Sequence, residues 1–190
     1  MAEDHTTPET AIRTAYEKCG IEAFYRKSGA TYRNPHEPEL RRVLDVVVRE
    51  WRLDLSKVLD LAAGSGEATI ALRELGVGDI EGIDPYTYEA YERRTGLRAG
   101  RQRFEDVAAG ALAGRDYSLI VCSFAMHLVE RSRLAGLAYQ LSQIGSRLLI
   151  TTPHKRPVLR PEWGWELEEE RVIHRIRARL YRSDFRAPLL

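Results

Sequence analysis

The sequence predicts an α/β fold: a doubly wound, mostly parallel seven-stranded sheet with helices on both faces and an antiparallel hairpin closing its C-terminal edge. Three observations carry this. Val58-Leu59-Asp60-Leu61 is a short apolar run that enters the turn Ala62-Ala63-Gly64-Ser65-Gly66, and a helical segment, Glu67 to Leu75, follows at once. A second short run, Ile80-Glu81-Gly82-Ile83, ends in Asp84. Strand-like and helix-like segments then keep alternating, which implies crossover connections, parallel pairing and a sheet covered on both faces.

Taken in order, residues 1–10 read as a polar tail. From Ala11 to Tyr25, apolar or aromatic residues recur at helical spacing (Ile12, Ala15, Tyr16, Cys19, Ala23), with a break at Gly20. Ser28 to Pro35 reads as loop. A helix is expected from about Pro38 to Trp51, because Leu40, Val43, Leu44, Val47 and Trp51 give it one apolar face. Strands are expected at 57–61, 79–84, 101–104, 117–123 and 146–151, with helices at about 67–75, 87–94 and 131–143. The connection 105–114 is too short and Gly/Ala-rich to commit to a helix. Leu119 to Cys122 is apolar on both faces, as a central parallel strand must be.

Toward the C-terminus, Trp163 to Leu167 and Arg175 to Leu180 alternate apolar with polar residues. They predict an antiparallel edge pair joined somewhere in 168–173; an amphipathic helix over 166–181 is the rival. One domain is expected over 1–190: a helical cap region (1–56), a ligand-binding core (57–152) and edge strands (153–190).

The 190 residues are 44% apolar and 30% charged, a globular composition. A formal net charge of +1 gives no reason to expect nucleic acid or an anionic membrane. The two cysteines, Cys19 and Cys122, form neither a disulfide framework nor a zinc spacing, and Cys122 reads as a small buried residue. No metal site is expected. The first residues are polar, without a basic-then-apolar leader, and no apolar run approaches the ~18 residues that span a bilayer. The expected location is cytoplasmic, as monomer or homodimer.

Small residues in the first turn let a ligand approach the backbone, and the helix start behind it offers free N–H groups. An acid at the tip of the second strand is where doubly wound folds bind a ribose hydroxyl. A nicotinamide dinucleotide would want G-x-G-x-x-G after the first strand. This chain offers Ala62-x-Gly64-x-Gly66-Glu67-Ala68, which lacks the third glycine.

In their order, these signals resemble class I S-adenosylmethionine-dependent methyltransferases over about 55–152. The resemblance implies S-adenosylmethionine as cofactor and S-adenosylhomocysteine as product. It implies that Asp60, Ala62, Gly64, Ser65 and Gly66 form the turn under the methionine moiety, and that Asp84 accepts both ribose hydroxyls. Pro85 and Tyr86 fall where adenine is packed; Phe104 with Glu105, Asp106 and Val107 matches the segment that meets its edge. Ser123, Phe124 and the residues to Leu128 match the loop beside the reactive methyl, and Tyr32 and Arg33 the segment that closes over the cofactor, where Tyr25 is a further candidate. Two departures stand out. Ala62 replaces the first glycine of the turn and fits if it keeps a negative φ. Tyr117-Ser118 replaces an aromatic-Asp opening of the fourth strand.

His127 is the first catalytic candidate, near the carboxyl end of the fourth strand, where an imidazole can take a proton from a hydroxyl or amine. The plain alternative is a histidine packed in a first helical turn. His154, past the fifth strand, is the second; His36, His5 and His174 rank lower. Trp163 and Trp165 wall a pocket or face the core. Arg175, Arg177 and Arg179 form a phosphate stripe or a solvated strand face, the latter favoured by nearby glutamates. No Asn/Asp-Pro-Pro-Tyr/Phe follows the fourth strand and no cysteine stands where cytosine-C5 enzymes use one. By elimination the expected acceptor is a small molecule, through oxygen or nitrogen. The alternatives are a protein- or RNA-modifying enzyme that uses the arginine row, a non-catalytic cofactor-binding regulatory subunit, or a nicotinamide oxidoreductase.

Overall fold

A computed structural model describes residues 29–185. The tail, the helix expected over 11–25 and Tyr25 lie outside the described residues. Within them run five α-helices: α1 (Glu37–Glu50), α2 (Glu67–Glu74), α3 (Tyr88–Thr95), α4 (Phe104–Ala108) and α5 (Arg131–Ile144). The strands are β1 (Val58–Leu61), β2 (Ile80–Ile83), β3 (Ala99–Gly100), β4 (Tyr117–Ser123), β5 (Gly145–Thr152), β6 (Trp165–Ile173) and β7 (Ile176–Ser183). They form one sheet in the order β3-β2-β1-β4-β5-β7-β6. β1 pairs in parallel with β2 and β4, whereas β7 runs antiparallel to both β5 and β6. Strand order reverses at β1 and β4, so their carboxyl ends open the crevice in which such sheets bind ligands.

The period-two alternation sorts the core into two layers. Val58, Leu119, Val121 and Leu149 face α1 and α2, against Leu40, Val43, Leu44, Ala71 and Leu72. Leu59, Leu61, Ile120, Cys122 and Ile150 face the other way, onto Leu134, Leu137 and Leu141 of α5. Pro38 in its first turn, with Glu37 and Glu39, starts α1 as the fixed φ and the helix dipole favour. No helix among the described residues is long and apolar enough to cross a membrane.

Three expectations are corrected. The third strand is not 101–104 but the two residues Ala99–Gly100, and Phe104–Ala108 forms α4. Asp106 decides this: its Oδ2 accepts the Arg103 N–H at 2.8 Å, capping a helix start where the apolar pattern is too short to speak. The C-terminal hairpin turns at His174–Arg175 (φ 48° and 67°), so β6 runs through 168–173 instead of ending before it. Two left-handed residues suit a tight hairpin, and neither is the glycine or asparagine that flags one. The arginine row is not one solvated face: Arg175 is exposed, Arg177 half-buried and Arg179 buried. Arg177 and Arg179 both pair with Glu170, and Arg179 is buried at 4% exposure.

Candidate active site

Asp60 is wholly buried on the α2 side of β1. Its Oδ2 accepts the Thr69 N–H at 3.0 Å and the Thr69 hydroxyl at 2.7 Å, tying strand to helix. Its Oδ1 is buried, with no partner among the described residues. Burial pushes its pKa up to about 7, with the negative Glu67 and Asp84 adding to the rise against the Thr69 hydrogen bonds.

The turn after β1 is tight. Ala63 donates to the Ile83 carbonyl at 3.0 Å and Gly66 to the Ala63 carbonyl at 2.9 Å. Ala62, Gly64 and Gly66 have φ of 57°, 59° and 89°. Ala62 therefore does not keep the negative φ expected of it. A left-handed alanine costs about 1 kcal/mol, and glycine at that position relaxes the cost. Glycine's extra chain entropy takes back about 0.4–1 kcal/mol of this, so Ala62→Gly is expected to leave unfolding stability unchanged or raised by up to about 0.6 kcal/mol. A urea midpoint that falls by the full entropy cost of glycine would refute strain at this residue.

Asp84 caps the tip of β2. Its Oδ1 accepts N–H groups from Tyr86 (2.9 Å) and Thr87 (2.8 Å), and its Oδ2 accepts the Gly64 N–H at 3.1 Å. The Thr87 hydroxyl donates to the Gly64 carbonyl at 2.6 Å. Asp84 thus staples the first turn to the second strand. Burial raises its pKa and these N–H groups oppose the rise. Of about four acceptor positions on a carboxylate, three are engaged within the chain.

Between these tips and the end of β4 lies a cavity of about 310 Å³. Asp60, Ala62, Gly64 and Asp84 line it, and so do Pro85 and Tyr86. Ser123 and Phe124 close it from β4, Glu105 from α4, and Tyr32 from the segment before α1. Three of its lining residues carry a buried polar atom with no partner among the described residues: Asp60 Oδ1, Gln102 Oε1 and Ser123 Oγ. Gln102 was not among the residues the sequence singled out; only its place just after β3 hinted at it.

Other sequence candidates fall outside the lining. Ser65 is turned inward: its hydroxyl bonds Glu67 and accepts from Arg94 at 2.9 Å. A Cβ on Gly66 would come to 2.5 Å from Thr95 Cγ2, so this glycine serves the packing of α3 beneath the turn. Asp106 is spent on the start of α4, Val107 is core, and Arg33 is exposed. Glu105 is on the wall, yet it pairs with Arg133 of α5 at 2.9 Å across the cavity rim.

The turn is braced from behind by a polar network that no local pattern announced. Arg94, near the end of α3, bonds Glu37 at 2.6 Å, Glu67 at 3.2 Å and the Ser65 carbonyl at 3.2 Å. Glu67, 4% exposed, also accepts the Asn34 N–H at 2.9 Å and the Ser65 N–H at 3.0 Å. Three helices and the turn meet in this cluster.

His127 and His154 come together beyond the ends of β4 and β5, ring centroids 4.3 Å apart. A 3-10 turn, Met126–Leu128, points Ala125 and Leu128 into the cavity and His127 out of its lining. Its Nδ1 is buried with no partner among the described residues, and burial, reinforced by His154, lowers its pKa to about 4. His36, at the start of α1, stacks on Phe124 (5.5 Å, 5° between planes), whose own φ is 55°. Trp165 is core, its Nε1 donating to the Ala138 carbonyl at 2.8 Å, and Trp163 packs on the same layer. Ser118, at the place of the expected acid, bonds the Asp54 carbonyl and the Lys57 N–H, both at 3.0 Å.

A family model described as a methyltransferase domain matches residues 32–187. The chain belongs to this family and is a class I S-adenosylmethionine-dependent methyltransferase. It is 32% identical to uncharacterized protein C17A5.05c of Schizosaccharomyces pombe over 219 aligned positions, covering 86% of this chain and 89% of that protein. Among solved structures it resembles the CcbJ methyltransferase of Streptomyces caelestis (TM-score 0.61, 12% identity, 83% of this chain, 95% of that one). It also resembles magnesium protoporphyrin IX methyltransferase of Synechocystis PCC 6803 with bound S-adenosylhomocysteine (TM-score 0.59, 16% identity, 93% of this chain, 100% of that one). At such identities the likeness concerns the fold.

Proposed function

We propose that this protein transfers a methyl group to an oxygen or nitrogen of a small-molecule acceptor, with the cofactor held across the tips of β1, β2 and β4. One observation carries the reading: three residues that line a single cavity at the topological switch point, Asp60, Gln102 and Ser123, each carry a buried polar atom with no partner among the described residues. A buried polar atom left alone costs free energy, so a cavity that collects three suits a ligand that satisfies them. The set fits the cofactor. Asp60 suits a cationic amine, the remaining acceptor position of Asp84 a ribose hydroxyl, and Gln102 and Ser123 further polar edges. Tyr86 and Phe104 supply the apolar wall for a base.

The bound cofactor supplies a methyl group already activated on a positively charged sulfur that leaves as a neutral thioether. The chain's part is positioning. Aligning a nucleophile with that methyl removes several kcal/mol of barrier. An acceptor that keeps its proton must lose it as the new oxygen–carbon or nitrogen–carbon bond forms. His127 and His154, paired past the ends of β4 and β5 and outside the lining of the cofactor cavity, are the groups to receive it from an acceptor that reaches beyond the cavity's edge. His127, pushed to about 4, is unprotonated at neutral pH and free to accept, though too weak a base to ionise an alcohol in advance. The arginine row offers no support for an RNA partner, since two of its members are committed to Glu170.

Asp84→Asn keeps the shape but turns an N–H donor toward the N–H of Gly64 or of Tyr86 and Thr87. Binding of S-adenosylhomocysteine is expected to weaken by about 1–3 kcal/mol in calorimetry. Unchanged affinity would contradict the assigned site. The acceptor is found by incubating fractionated metabolite pools with methyl-labelled cofactor. Label that goes only into protein or RNA would overturn the small-molecule reading.

A further inference from the structure

β7 carries two buried side chains on one face, Arg179 and Tyr181, that reach out of the sheet to the chain following β5. Arg179 donates from Nη1 to the Pro157 carbonyl at 2.7 Å and from Nη2 to the Lys155 carbonyl at 2.8 Å, while its Nε holds Glu170 at 2.5 Å. The Tyr181 hydroxyl accepts the Leu159 N–H at 3.3 Å. At the near end of the same loop, the Thr152 hydroxyl oxygen accepts the His154 N–H at 3.1 Å. A stretch with no regular structure of its own is therefore fixed at four backbone positions, one of them beside the ring of His154.

We propose that Arg179, assisted by Tyr181, is the positioning residue of the acceptor site: it locks the loop after β5 so that His154 stays against His127. This rests on the methyl-transfer reading, which makes the two imidazoles the proton acceptors. The guanidinium suits the task. Its planar fork ties two carbonyls at fixed spacing, and lysine has no such geometry. An ordinary salt bridge to Glu170 needs only one donor; the other two are spent on the loop. Neither side chain lines the cofactor cavity, so cofactor affinity is predicted to be independent of both.

The test uses the full chain in three variants, Arg179→Met, Arg179→Lys and Tyr181→Phe. Solution NMR reads the cross-relaxation between the His127 and His154 rings, and calorimetry with S-adenosylhomocysteine reads the cofactor site. Arg179→Met is expected to abolish the ring contact, Arg179→Lys to restore it only in part, and Tyr181→Phe to weaken it. S-adenosylhomocysteine affinity should stay within about twofold, less than ~0.5 kcal/mol. A ring contact that survives in Arg179→Met would overturn the proposal. Should Arg179→Met fail to fold, an unweakened contact in Tyr181→Phe together with a fully restored one in Arg179→Lys would do the same. If even the wild type binds no S-adenosylhomocysteine, the methyl-transfer reading falls, while the ring contacts still judge the clamp.

Discussion

Replacing Asp60 with asparagine is expected to stabilise the protein above pH 7 and to cripple its cofactor binding. The carboxyl is wholly buried, its pKa is pushed up to about 7, and Oδ1 has no partner among the described residues. An acid whose pKa is higher folded than unfolded binds more protons in the native state between the two values. From this group stability is therefore greatest below about pH 4 and declines as pH rises to about 7, because a buried charge must then be carried. Asparagine keeps an acceptor for Thr69 and carries no charge. The difference in urea-unfolding free energy between variant and wild type should grow in favour of the variant from pH 4 to 7 and then level off. A difference that is flat with pH would show that Asp60 ionises as freely as a surface carboxylate. The fold gains nothing from this ionised acid; under the proposed function a cationic ligand does. A charge-assisted hydrogen bond contributes about 1.5–3 kcal/mol, so the variant should bind S-adenosylmethionine roughly tenfold to a hundredfold more weakly above pH 7. Wild-type affinity should itself fall as pH drops below 7.

The second large effect is at Arg94. Its side chain is mostly buried and shared between Glu37 and Glu67. Arg94→Met leaves Glu67, 4% exposed, as a charge with no cation beside it. Removing one partner of a buried ion pair costs about 3–5 kcal/mol, a large part of a domain's stability. The variant is expected to unfold at markedly lower urea concentration and to lose cofactor affinity as well, because Ser65 and Glu67 shape the turn after β1. A double variant, Arg94→Met with Glu67→Gln, should recover part of the loss. Full stability in the single variant would show the network to be solvated and dispensable.

How far the sequence speaks depends on the range of the interaction. β1, its turn, α2 and Asp84 are legible because each is a contiguous pattern of apolar period and small residues. Leu119 to Cys122 is legible as a central strand for the same reason. Between Ala99 and Ala108 two short patterns compete, and a single capping carboxylate, Asp106, tips the chain into α4. The hairpin turn eludes inspection because His174 and Arg175 adopt left-handed backbone without the residues that usually signal it. Arg179 reads as solvated from alternation alone; a loop more than twenty positions away covers it. Glu37 and Arg94 are 57 residues apart, and no periodicity encodes their meeting. In the same way, the reversal of His127 out of the cavity depends on the rotation of one 3-10 turn.

Under the proposed function one carboxylate, Asp60, buried at the switch point, receives the cationic end of S-adenosylmethionine. A crystal structure with S-adenosylhomocysteine tests it most directly. The amino group is expected within hydrogen-bond reach of Asp60 Oδ1 and a ribose hydroxyl on Asp84. Density elsewhere on the molecule, or a ligand in the cavity with its amine turned from Asp60, would contradict it.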